Sequence, residues 1–85
     1  MIPYPAKLTK DGFYILVTFR DVPEAITFGA NEKEALKNAI DALETAFSLY
    51  ADNGQGWPEP STAVDGEQLV FISKSVTIKT RLRQD

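Results

Sequence analysis

The side chains able to do chemistry in this 85-residue chain are almost all charged: nine lysines and arginines, twelve aspartates and glutamates, no histidine and no cysteine. Without histidine the usual general base at neutral pH and the commonest metal ligand are missing. Without cysteine, thiol catalysis, zinc knuckles, iron–sulfur ligation and disulfides are excluded. No glycine-rich loop has the spacing that cradles phosphate. The chain is therefore expected to have no enzymatic activity and no cofactor. What remains is charge, and it is unevenly spread. Residues 1–73 carry five basic against eleven acidic side chains, a net −6, whereas residues 74–85 carry Lys74, Lys79, Arg81 and Arg83 against Asp85, a net +3. An acidic body repels nucleic-acid phosphates and attracts basic partners, or simply keeps the protein soluble. Lys79, Arg81 and Arg83 are weak candidates for phosphate contact, or the solvated side of a short helix.

These groups must be carried by one small domain spanning residues 1–85. Apolar residues make up 44% and charged residues 25%, as expected for a packed globule rather than a disordered chain. There is no repeat, no low-complexity tract and no linker. A domain of this size buries only about 60% of its unfolded surface, so without disulfides it needs help from self-association. A dimer or tetramer is expected. No apolar run approaches the roughly 20 residues of a membrane span, and Met1–Pro5 lacks the regions of a signal peptide. No membrane association and a cytoplasmic location are expected.

Tyr4, Ala6 and Leu8 alternate with Lys7 and Thr9, the period of a strand, with Pro3 and Pro5 making its start peripheral. Asp11-Gly12 suits a hairpin turn. Phe13–Phe19 places Phe13, Ile15, Val17 and Phe19 on one face, and its second face is apolar enough for an interior strand. Arg20–Glu24 reads as a loop, since Pro23 keeps Val22 from helical dihedrals. Ala25–Phe28 forms a short third strand ending at Gly29. The helix signal is the clearest. Asn31 caps, Glu34 follows three residues on, and Leu36, Ile40, Leu43, Phe47 and Tyr50 step by four and three with alanines between them. Lys33, Lys37, Asp41, Glu44, Ser48 and Asp52 line the other side, and Gly54 stops the helix. Residues 55–67 form an ordered loop carrying Trp57. Leu69–Ile72 is a strand covered on both faces or shared with another subunit. From Ser73 on, the pattern fits either a strand or a short helix. If the fourth strand lies parallel to the third, a right-handed crossover is the default.

Tyr4-Pro5-Ala6, the Asp11-Gly12 turn, Phe19–Ala25, Thr27-Phe28-Gly29, Glu34-Ala35, Ala39–Leu43 and Pro58-Glu59-Pro60-Ser61, in this order and spacing, resemble the N-terminal domain of HicB antitoxins. The likeness runs from residue 3 to about 82. It implies an α+β fold: a small β-β-β-α-β sheet with one long helix on a face, plus a short C-terminal helix beginning near Ser75, partially ribonuclease-H-like. It implies further a type II antitoxin that neutralises a HicA-type toxin, a small basic ribonuclease that cleaves messenger RNA, by direct binding.

Family members continue into a segment that binds operator DNA. Such binding, with transcriptional autoregulation, is expected here only if a segment follows Asp85. Candidate toxin contacts are Asp21, Glu24, Trp57 and Glu59. Each has an alternative: turn formation for Asp21 and Glu24, packing onto the core for Trp57. Tyr50 reads as core. A ribonuclease-H-like sheet also raises the question of paired metal ions, which need converging carboxylates. Asp11 in a turn, Asp21 and Glu24 in a loop, and Asp41 and Glu44 on the polar helix side do not supply such a set. The competing reading is a stand-alone regulatory or oligomerisation module binding DNA through its basic tail.

Overall fold

A computed structural model describes residues 1–73. Its elements are β1 (Ile2–Asp11), β2 (Tyr14–Phe19), β3 (Thr27–Gly29), α1 (Glu32–Asp52) and β4 (Glu67–Ile72). The strands form one sheet in the order β3-β2-β1-β4, every neighbouring pair antiparallel, with α1 packed on one face. This is the expected α+β class. The short C-terminal helix falls outside the described residues. Alternation along the strands sends Tyr4, Ala6, Val17, Phe19, Val70 and Ile72 into the core beneath the helix. Pro3 and Pro5 lie where β1 is paired with β4 but not yet with β2, so the missing amide donors fall in its one-sided stretch.

Three local readings need correction. The β1–β2 turn is centred on Gly12-Phe13, one residue later than Asp11-Gly12, with Gly12 at φ +64 where a type II′ hairpin carries its glycine. Phe13 is therefore not a core residue of the strand but a turn residue, 94% exposed. On α1 the buried stripe is rotated toward the small residues: Ala35, Ala39, Leu43, Ala46, Phe47 and Tyr50 are buried together with Ser48, while Ile40 is exposed. Finally, β4 pairs with β1 at the far edge and runs antiparallel to it, so the parallel crossover does not arise. Its outward side chains Leu69 and Phe71 are partly exposed, so within one chain the strand is covered on one face only, and the alternative of a strand shared with another subunit stays open.

Both ends of α1 are closed as its sequence requires. Asn31 accepts the Glu34 amide at 2.9 Å, and Glu34 accepts the Ala30 amide at 3.0 Å. At the other end Gly54, at φ +72, donates to Ala51 and Gln55 donates to Tyr50, the paired bonds of a Schellman stop. Acidic Glu32 and Glu34 suit the positive end of the helix dipole.

The tightest constraint lies where β3 leads into the helix. A Cβ on Gly29 would stand 2.3 Å from the Ala35 nitrogen and 2.5 Å from its Cα, backbone atoms that cannot swing aside. Gly29→Ala is expected to cost roughly 2–4 kcal/mol, because α1 must lift off the sheet to admit one methyl group. Gly56, which has nothing within 4 Å of its would-be Cβ, supplies the control. A urea midpoint for Gly29→Ala equal to that of Gly56→Ala would contradict this packing.

Candidate protein-interaction site

The loop between α1 and β4 is held along its length by groups far apart in sequence. Trp57 stacks on Phe47 with ring centroids 4.1 Å apart and planes 17° from parallel. The Tyr4 hydroxyl donates to the Pro58 carbonyl at 2.7 Å. Asp21 accepts both the Ser61 amide, at 2.8 Å, and the Ser61 hydroxyl, at 2.6 Å. Arg20 donates to the Thr62 carbonyl and to Glu67 Oε1, which also accepts the Val64 amide. The Arg20–Glu67 ion pair is partly exposed, so its value rests on belonging to this set of bonds rather than on charge alone.

Asp21 and Trp57 are thus built into the loop anchorage. Glu59 is exposed on the same loop, and with Asp21 it reinforces the upward shift that burial imposes on the Tyr4 hydroxyl. Lys79, Arg81 and Arg83 lie outside the described residues. Asp11 and Glu67 are strand-terminal rather than confined to turns, yet among the described residues no group of three acidic side chains converges as a metal site.

Glu24 lines a groove of about 370 Å³ between the β3 edge and the flank of α1. Ile26, Thr27, Asn38, Asp41, Ala42, Thr45, Ala46 and Leu49 complete its lining. Asn38 donates to the Phe28 carbonyl at 2.8 Å, tying the helix to the edge strand, and Thr45 donates to the Asp41 carbonyl. Sequence reading placed Asp41 only on a polar helix side. The signal for the groove was available in part: Asn38, Asp41, Thr45 and Leu49 recur at helical spacing. The facing strand edge, however, is joined to them only by folding.

The Tyr50 hydroxyl donates to Glu24 Oε1 at 2.6 Å from the buried side of α1. That bond, with help from the Glu24 backbone amide, holds the Glu24 carboxyl below its ordinary range. Burial chiefly, and then the hydrogen bond to Glu24, push Tyr50 up to about 12. A folded-state value raised above 10 stabilises the fold fully below pH 10, and this contribution is lost as pH rises toward 12. Tyr50→Phe is expected to lower stability by about 1–2 kcal/mol at neutral pH and to flatten the alkaline loss. Thermal melts across that window check it; an unchanged alkaline slope would contradict the assignment.

Comparison with known proteins matches the same span. Residues 3–81 fit a model of HicB-like antitoxins of bacterial toxin–antitoxin systems. The chain is 42% identical over 79 residues to Antitoxin HicB 2 of Photorhabdus laumondii, covering 93% of this chain and 55% of that protein. It is 38% identical over 81 residues to Antitoxin HicB of Escherichia coli K12, covering 93% and 58%. Antitoxin HicB of Pseudomonas fluorescens is 34% identical over 68 residues, with 80% and 44% covered. The chain spans about half the length of these curated relatives. On the strength of a family match over most of its length and of these relatives, the chain belongs to the HicB-like antitoxin family of bacterial toxin–antitoxin systems.

Proposed function

We propose that this chain neutralises a HicA-type toxin, a small basic ribonuclease, by sitting on it and excluding RNA. The observation that carries the reading is the antitoxin family match over residues 3–81. Physical properties support it. Residues 1–73 bear a net −6, which draws a basic protein inward over the screening distance of about 8 Å at physiological salt. Inhibition by covering requires no chemistry from the chain, only area and complementarity. Association speed then follows charge, and lifetime follows the apolar contacts.

Self-association belongs to the same proposal. The sheet face away from α1 leaves Tyr14, Phe28, Leu69 and Phe71 partly exposed, large apolar side chains of the kind that mark contact surfaces. These support a homodimer or tetramer, which we place in the cytoplasm as part of the same proposal. Among the described residues no helix is long and apolar enough to cross a membrane.

Mixed with a HicA-type toxin from the same genome, the folded protein is expected to co-elute as one complex. RNA cleavage should fall to background at equimolar protein. Association should slow as salt is raised, because screening weakens the attraction. Cleavage persisting in the presence of excess folded protein would overturn the proposal.

A further inference from the structure

We propose that the groove between β3 and α1 is the docking site for a partner segment that presents an arginine or lysine beside apolar side chains. The inference rests on the antitoxin reading above, in which that segment belongs to the toxin.

The lining decides the chemistry of the occupant. Two carboxylates, Glu24 and Asp41, line the groove together with the aliphatic side chains of Ile26, Ala42, Ala46 and Leu49, and no lysine or arginine is among the lining residues. Ile26 and Leu49 are 57% and 54% exposed, large aliphatic side chains left uncovered on either side of the channel. Glu24 is presented rather than free to wander: Tyr50 holds Oε1, leaving Oε2 as an acceptor. Asn38 is likewise fixed by its amide donation to Phe28, with Oδ1 available to accept. Fixed acceptors among aliphatic side chains match a long cationic side chain, whose methylene stem lies on the aliphatic residues while its head reaches the carboxylates.

Other occupants fit less well. Nucleic acid would bring phosphates against two carboxylates. A second copy docked symmetrically would set Glu24 and Asp41 against themselves, because a two-fold interface presents the same patch from both sides. A basic partner protein brings both the charge and the apolar contact without these conflicts.

The test uses the full chain and an RNase-inactive form of a HicA-type toxin from the same genome, with binding kinetics as the readout. Asp41→Lys and Leu49→Glu change two exposed positions on the groove flank, and Asp11→Lys at the hairpin tip makes the same charge change away from it. Each variant is admitted on an unchanged circular-dichroism spectrum, and two separate groove positions keep the test intact if one misfolds. Asp41→Lys and Leu49→Glu are each expected to weaken binding by about tenfold or more, the first by slower association and the second by faster dissociation. Asp11→Lys should stay within about threefold of the parent protein, as a charge outside the contact does. If the parent protein binds and both groove variants bind like Asp11→Lys, the groove proposal fails and the antitoxin reading stands. Groove variants that alter only the protein's own mass in light scattering would assign the groove to a second copy and likewise overturn the proposal. If the parent protein does not bind the toxin at all, both readings fall together.

Discussion

Helix α1 rests on the sheet at a distance set by Gly29 and Ala35, where there is no room for a single methyl group between strand and helix backbone. Everything else in the domain is arranged around that contact. Close approach is why the helix buries Ala35, Ala39 and Ala46 and leaves the bulkier Ile40 toward solvent. Farther along the helix, Phe47 meets the rings of Tyr4, Tyr50 and Trp57. With so little area to bury, a domain of this size depends on such direct packing instead of a thick core.

The same contact produces the surface on which function is proposed to rest. Because β3 is short and at the edge, the flank of α1 stands directly beside it, bridged by Asn38. The groove formed there is lined by two carboxylates and several aliphatic side chains. The long loop after α1 is stapled down by Trp57, Tyr4, Asp21 and Arg20, which makes it part of the scaffold. The shape and the charge on which the proposed docking relies are both carried on elements that are fixed in place.

Much of this fold could be read from residue order alone, and what could not shares one cause. The Asn31 cap, the Gly54 stop and the interior position of β2 are local or periodic features, and they follow from the pattern. The parity of Phe13 did not: moving the turn by one residue changes a core side chain into an exposed one, because successive strand residues face opposite ways. The burial of Ser48 and the exposure of Ile40 reflect how far the helix is rotated on the sheet, which is set by a tight contact at Gly29 and not by helical periodicity. Asp21 with Ser61 and Trp57 with Phe47 are joined across long stretches of chain. No spacing rule distinguishes such internal partners from residues kept for a partner protein. Glu24 was legible as a surface acid, but its partner Tyr50, which aims it, was legible only as core.

The central claim is that inhibition is reversible masking by a protein that changes no bond in its partner. The most direct measurement separates an inhibited pair under denaturing conditions, refolds the ribonuclease alone, and records its mass and its RNA cleavage. The account requires an unaltered mass and full recovery of activity. A modified or shortened ribonuclease, or inhibition achieved by far less than one antitoxin per toxin, would contradict it.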